Sequence, residues 1–349
     1  MANKRLDYLD MAKGIGIILV VLGHIVYTEQ HIMIWIASFH MALFFVISGI
    51  LMGLKDKPIR DIKAEIVHIA KGILIPYAWF SGLDFLLDIG NVLLGKISQE
   101  AFWRNLVSSV TFYGKSVLWF LTALFIAEAI LIVLRAKCKD TVGIVVTVVI
   151  AAIAVVCKYG IDKVYGMYAD SFAMVSLLNV VRTLIRGCIV LPYLSAGYYV
   201  TKYVKKTDAL CEPKRRYQVA FAVILLLINI IVAIENGSVD TNNMILGNVF
   251  LYYTGGLAGS FAIVLLCKNM WSLKPLTYIG RNSLIIMATH LDCYILWAGL
   301  KVGMVVFGRV PQVALLVLIA LVVTLLLSCI VVEVINRFMP FMVGKRKSA

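Results

Sequence analysis

The sequence predicts an all-α integral membrane protein with about ten transmembrane helices. Of its 349 residues, 62% are hydrophobic and only 15% are charged, and the mean hydropathy is +0.94. Soluble domains carry a much larger share of charged and polar residues. Apolar runs long enough to cross about 30 Å of hydrocarbon recur along the whole chain. We therefore expect one membrane domain over residues 1–349, without an appended soluble domain.

Each predicted span is an apolar run of roughly 17 to 25 residues between polar segments. The first follows MANKRLDYLD directly and has no small-residue cleavage site, which predicts an uncleaved anchor. TEQH separates it from the second, the charged segment 54–69 follows the second, and ENGSVDTNN follows the seventh. The predicted spans are 8–27, 32–53, 70–90, 115–134, 142–157, 175–200, 217–234, 246–267, 278–299 and 310–334.

The basic residues predict how these spans are oriented. A net charge of +14 is compatible with nucleic-acid binding, but 22 of the 33 Lys and Arg residues lie in the termini and alternate loops or at the adjoining span ends, against seven at the opposite loops. This positive-inside bias places both termini in the cytoplasm and argues against a nucleic-acid partner. We expect a multi-pass protein of the plasma membrane, the inner or cell membrane of a bacterium. The most basic loop, 202–217, is explained by topology and by contact with anionic membrane lipids.

The cysteines predict neither a disulfide framework nor a metal site. All seven are scattered, and no two form a C-x-x-C pair. We expect no metal.

Two ionisable side chains share one face of the first helix. Lys13 and His24 are eleven positions apart, which is about three helical turns and roughly 16 Å of axial rise. Gly16 and Gly23 border the same stripe and allow a neighbouring helix or a ligand to approach. Asp10, one turn before Lys13, is placed to pair with it. Lys13 is also explained by snorkelling to the interface, and His24 by an interfacial position.

The second helix adds another imidazole in the outer half of the bilayer. In FHMALFFVISG, from Phe39 to Gly49, His40, Phe44 and Ser48 recur every four residues and form one face. Only a short loop joins the two helices, so His24 and His40 are expected to approach each other. A pair of imidazoles in a protected pocket is suited to general-base chemistry.

Later spans carry further polar residues. Arg182 and Arg186 are four apart on one face of the sixth span, and two arginines in hydrocarbon need a function, a partner or access to headgroups. Asn282 and His290 are eight apart in the ninth span, with Asp292 close by. This second group either supports the site or forms an interhelical hydrogen-bond network.

The first two helices together resemble the acyltransferase 3 family of membrane O-acyltransferases. The shared pattern is a basic residue, ten further residues and a histidine, followed in the next helix by F-H-M-x-L-F-F-x-I-S-G. LWFLTALF (118–125), LPYLSAGYY (191–199) and IGRNSLIIMATH (279–290) resemble later landmarks of the family. LDYLDMAKGIGIILVVLGH is most similar to the fucose-acetylase-like and exopolysaccharide O-acetyltransferase branch.

The resemblance implies transfer of an acyl group, usually acetyl from acetyl-CoA, to a hydroxyl of a glycan or its lipid-linked precursor. His24 matches the family's essential histidine, and Lys13 matches its basic partner. Trp119 matches a W-x-L-x-x-E segment, but Leu124 stands where many members have glutamate. Only Lys71 of KGILIPY fits where many members have two arginines.

These residues predict a division of roles. His24 takes the proton from the acceptor hydroxyl, while His40 and Ser48 position the reactants or stabilise the oxyanion. Asp10, Trp119, Asn282 and His290 support the site. The phosphates of acetyl-CoA bind at the cytoplasmic mouth, and the pantetheine arm follows the stripe between Lys13 and His24. The predicted phosphate-binding residues are Lys13, Lys71, Arg182 and Arg186.

Two other functions are compatible with the residues alone. A transporter or flippase uses intramembrane His, Lys and Arg to move protons or to bind an anion. A third hypothesis is a membrane module that serves as a partner or sensor for other catalytic units. The lack of a fused catalytic domain in this sequence disfavours it.

Overall fold

The computed structural model describes residues 6–168, 171–208, 214–307 and 313–344, without the side chains of 206–208 and 306–307. The described residues form helices joined by short loops, and a single isolated bridge links Asp240 and Ile245. The helices are α1 Asp7–Gly23, α2 Gln30–Leu54, α3 Ile62–Leu93, α4 Gln99–Val110, α5 Trp119–Lys137, α6 Asp140–Met167, α7 Phe172–Asp208, α8 Arg215–Asn236, α9 Val249–Lys268, α10 Lys274–Arg281, α11 Ser283–Thr289, α12 Ile295–Phe307 and α13 Val313–Phe338, followed by the 3₁₀ helix Pro340–Val343.

Within these ranges, eight helices are long and apolar enough to cross a membrane. They are α2, α3, α5, α6, α7, α8, α9 and α13. Helix α1 has 17 residues, which is at the lower limit for a span. The predicted fold class, an all-α integral membrane protein, is confirmed. Every predicted span coincides with one helix, except the ninth.

The ninth predicted span is interrupted. Its residues belong to α10, α11 and α12, and Asn282 lies at the first break. The Asn282 side chain donates to the carbonyl of Tyr278 at 3.0 Å and accepts from the amide of Asn336 in α13 at 2.9 Å. One continuous helix over 278–299 was therefore a wrong prediction, because hydropathy does not reveal where polar side chains take over backbone hydrogen bonds.

The chain divides into two compact units, residues 1–56 with 196–337 and residues 57–195 with 338–349. In the first unit α9 packs against α1, α2 and α8, and α1 packs against α10. A Cβ at Gly259 of α9 would lie 2.5 Å from the Phe39 ring, so α2 and α9 approach closely. Buried Asn229 of α8 donates to Ser38 and to the carbonyl of Gly255, both at 2.9 Å, and so ties α2, α8 and α9 together.

In the second unit α3 packs against α4, α5 and the 3₁₀ helix. The carboxylate of buried Asp88 in α3 accepts from Lys115 and from Asn105, both at 2.9 Å. The hydroxyl of Tyr77 donates to the carbonyl of Ser109 at 2.7 Å. These bonds fix α4 and the segment that follows it against α3.

Candidate active site

Two histidines from separate helices meet where α1 ends. His24 caps α1, and its ring centroid lies 5.3 Å from that of His290, which caps α11. His290 is fully buried, and its Nδ1 donates to the carbonyls of Ile286 and Met287 at 3.0 and 2.8 Å. A carbonyl only accepts, so Nδ1 carries the proton and Nε2 of the neutral ring is an acceptor. His290 is thus held in one tautomer beside the solvent-accessible ring of His24.

His40 of α2 is the third imidazole of this cluster. Its Nδ1 donates to the carbonyl of Ile36 at 2.8 Å, which leaves Nε2 of the neutral ring as an acceptor. Ile36 also lies 3.5 Å from the Cβ position of Gly23, at the end of α1. His40 and His24 interact electrostatically. The structure therefore brings together His24 and His40, as the sequence predicts, and adds His290.

A carboxylate that sequence reasoning missed faces the same histidines. Asp240 lies between α8 and α9 and interacts electrostatically with both His24 and His40. Its two oxygens accept from the backbone N–H and the side-chain amide of Asn243, at 3.1 and 2.7 Å. Two backbone bonds with Ile245, each 2.8 Å long, close the turn.

Hydrogen bonds and a buried side chain order the segment that holds Asp240. Asn236 donates to the carbonyl of Leu246 at 3.0 Å and accepts from the N–H of Asn248 at 2.7 Å. Thr241 is hydrogen-bonded to Tyr252 at 3.1 Å. Met244 has a φ of 57° and is fully buried. We name residues 237–248 the histidine-facing loop.

At the other end of α1, Lys13 and Asp10 lie close together, as predicted, with Nζ and Oδ1 3.9 Å apart. Arg281 of α10 makes the shorter ion pair, because its Nε donates to Asp10 at 3.0 Å and its Nη2 to Asp7 at 2.9 Å. Asp10 is buried, so a close guanidinium offsets the cost of desolvating its charge. Asp10 therefore joins α1 to α10.

The stripe of α1 between Lys13 and His24 is packed in the first unit. A Cβ at Gly16 would lie 2.9 Å from the Phe44 ring, and Ile17 and Val20 are buried. At Gly16 the close neighbour is an aromatic ring. The path for a pantetheine arm along this stripe stays a prediction.

Ser48 does not belong to the histidine cluster. It shares a face of α2 with His40, but eight residues of helix separate them by about 12 Å along the axis. A hydroxyl at that distance is outside hydrogen-bonding reach of an oxyanion formed at His40. A shared face does not imply a shared height, and the oxyanion role of Ser48 stays a prediction.

A family model described as an acyltransferase domain, Acyl_transf_3, matches residues 6–333. The chain belongs to the acyltransferase 3 family. The comparisons with curated proteins and with solved structures give no significant match. Family membership makes this chain a membrane acyltransferase, so its residues are interpreted as parts of an enzyme.

In the second unit of this acyltransferase, the arginines of α7 have aromatic and acidic neighbours. Arg182 lies 3.7 Å from the carboxylate of Asp162, and its guanidinium stacks 4.4 Å from the ring centroid of Tyr165. The fully buried Arg186 donates to the carbonyl of Tyr113 at 3.1 Å and lies 4.4 Å from that ring. Cation–π contacts of this kind stabilise a desolvated guanidinium.

Trp119, which begins α5, lies 5.3 Å from the Arg186 guanidinium. At the other end of α5, the guanidinium of Arg135 donates a hydrogen bond to the carbonyl of Lys57, which precedes α3. Lys71 is exposed in the first third of α3. Aromatic partners, which the helix pattern does not reveal, hold Arg186 beside Tyr113 and Trp119. A phosphate-binding role for Arg182, Arg186 and Lys71 stays a prediction.

Proposed function

We propose that this acyltransferase moves an acetyl group from acetyl-CoA to a hydroxyl of a surface glycan or its lipid-linked precursor, with His24 as general base. The observation that carries the proposal is the meeting of His24, His40 and His290 at one end of the first unit. His24 is the accessible member of the cluster and occupies the position that matches the family's histidine.

The proposed reaction balances with the groups at hand. The acceptor oxygen attacks the thioester carbonyl while the imidazole of His24 takes the hydroxyl proton. The new C–O bond replaces the C–S bond, and the leaving thiolate receives the proton back from the imidazolium. His290 keeps the ring of His24 in place by direct contact. Asp240 stabilises the positive charge that His24 carries during transfer.

Reconstituted protein tests the proposal directly. Proteoliposomes are given acetyl-CoA labelled in the acetyl group and a polysaccharide from cells that lack the protein. Transfer of label to the polysaccharide, and one additional acetyl unit per repeat by mass spectrometry in cells that contain the protein, are the expected results. Anion flux without acetyl-CoA, together with no labelled product, would contradict the proposal.

We expect Asp240→Asn to lower kcat about ten-fold, because removing the carboxylate costs roughly 1.4 kcal/mol of imidazolium stabilisation. The KM values for both substrates should change little, since Asp240 acts through His24. Glu235→Gln is the matched control, because it removes an exposed carboxylate from the end of α8 beside the same loop. An equal fall in kcat in the control would mean that only the net charge of the loop matters.

We propose Lys13 as a phosphate-binding residue for the donor. Lys13→Gln should raise the KM for acetyl-CoA about ten-fold and leave the acceptor KM unchanged, because one charge-assisted hydrogen bond is lost. Lys13→Arg should restore most of the affinity. Lys63→Gln, which neutralises an exposed lysine of α3, serves as the control in steady-state kinetics. An unchanged donor KM in Lys13→Gln would remove Lys13 from the site.

A further inference from the structure

The first unit contains a large cavity at the end of α1 opposite to His24. Its volume is about 710 Å³, which lies within the usual range for ligand pockets. Parts of five helices line it: the first turn of α1, the last turns of α2 and α9, the C-terminal part of α7 and the first turns of α8. Neither the histidine cluster nor the histidine-facing loop contributes a lining residue.

The lining is polar at one end and apolar at the other. Tyr8, Lys205, Tyr217 and Lys268 lie at or near the helix termini, and two of them are cationic. Residues one or two turns further into the helices are apolar: Ile50, Val200, Phe221, Leu225, Phe261 and Val264. A cavity with cationic residues at its rim and apolar residues inside suits an amphiphile with an anionic headgroup.

Lys205 is fixed at the rim of the cavity. Its ammonium donates to the carbonyls of Gly53 and Leu54, at the C-terminal end of α2. An ammonium has three N–H groups, so two such bonds still allow one to an anion. Lys268 is the last residue of α9 and contributes the second cation of the rim. The charge of both lysines complements a phosphate rather than a neutral headgroup.

We propose that this cavity, the α2–α9 cleft, binds an anionic phospholipid. The phosphate lies between Lys205 and Lys268, and one acyl chain lies along the apolar wall formed by Phe221, Leu225 and Phe261. The apolar wall favours a lipid over a nucleotide such as acetyl-CoA, whose body is polar. This lipid site is separate from the proposed acyl transfer and does not depend on it.

Native mass spectrometry of the delipidated full chain in detergent tests this site. Phosphatidylglycerol and phosphatidylcholine with the same acyl chains are titrated in parallel. We expect phosphatidylglycerol to bind at least ten-fold more tightly. Lys205→Gln with Lys268→Gln should weaken phosphatidylglycerol binding about 25-fold, from about five-fold per lysine. Phosphatidylcholine binding should weaken much less, because the choline offsets the charge of its phosphate.

Two further variants keep the result interpretable. Lys63→Gln with Lys274→Gln removes the same charge from exposed positions outside the cleft, and it should bind phosphatidylglycerol as the parent does. Leu225→Trp fills the apolar wall without a change of charge and should weaken phosphatidylglycerol at least ten-fold, even if the lysine variant folds poorly.

Four outcomes would overturn the proposal: equal affinity for the two lipids, equal weakening in the charge-matched control, full affinity in a folded Leu225→Trp variant, or displacement of the lipid by glycerol phosphate or acetyl-CoA. The last of these would assign the cleft to a free phosphate or to the acyl donor. Acetyl transfer measured on the same variants separates the two proposals, because a variant that loses lipid but retains transfer affects only the cleft.

Discussion

His24→Ala is expected to lower kcat/KM for acetyl transfer by about 10²- to 10⁴-fold, the usual contribution of a general base. The effect should appear in kcat rather than in either KM, because His24 acts on the hydroxyl proton in the transition state. Transfer of labelled acetyl groups in proteoliposomes measures it. The fold should survive, since His24 lies after the last turn of α1 and is accessible.

His31→Ala is the matched control for this experiment. It removes an imidazole whose side chain is 85% exposed and which only approaches Glu29, at 4.0 Å, so acetyl transfer should be unchanged. A His24→Ala protein that folds normally and transfers acetyl at the wild-type rate would show that His24 is not the base. His40 would then be the next candidate, because its Nε2 is also an acceptor in the neutral ring.

The pair of histidines on the first two helices could be predicted because the information is local. α1 and α2 are consecutive and joined by a short loop, so the chain itself limits how far His24 and His40 can be apart. His290 was proposed only as support, since a polar residue in a late span has several interhelical explanations. Its contact with His24 joins residues 266 positions apart, beyond the reach of helical spacing.

Asp240 and Arg281 could not be predicted from periodicity, because each acts across a long stretch of sequence. Asp240 approaches His24 only after α8 and α9 have packed against α2. A buried Asp10 does indicate that a cation is needed, but the sequence offers Lys13 at helical spacing and gives no sign that α10 brings Arg281 closer. The same limitation applies to Arg186, whose partner Tyr113 lies in a loop.

Glycine makes the close contact between the first half of α1 and α10 possible. A Cβ at Gly280 would lie 1.7 Å from the carbonyl oxygen of Asp10 and 2.8 Å from the N of Gly14. Both obstacles are backbone atoms, so no side chain can rotate away. Gly14 faces α10 in the same way, with the carbonyl oxygen of Leu276 2.3 Å from its Cβ position.

We therefore expect Gly280→Ala to destabilise the protein by about 1–3 kcal/mol, the usual cost of overpacking, and to lower its Tm by several degrees. Thermal unfolding in detergent measures this effect. Gly82→Ala in α3 is the matched control, because no atom lies within 4 Å of its Cβ position, and it should be neutral or slightly stabilising.

Gly280→Ala should also reduce acetyl transfer, since separating α10 from α1 moves His290 relative to His24. Equal Tm values for Gly280→Ala and the wild type would mean that α1 and α10 do not approach as closely as this contact requires, and that another element holds His24 against His290.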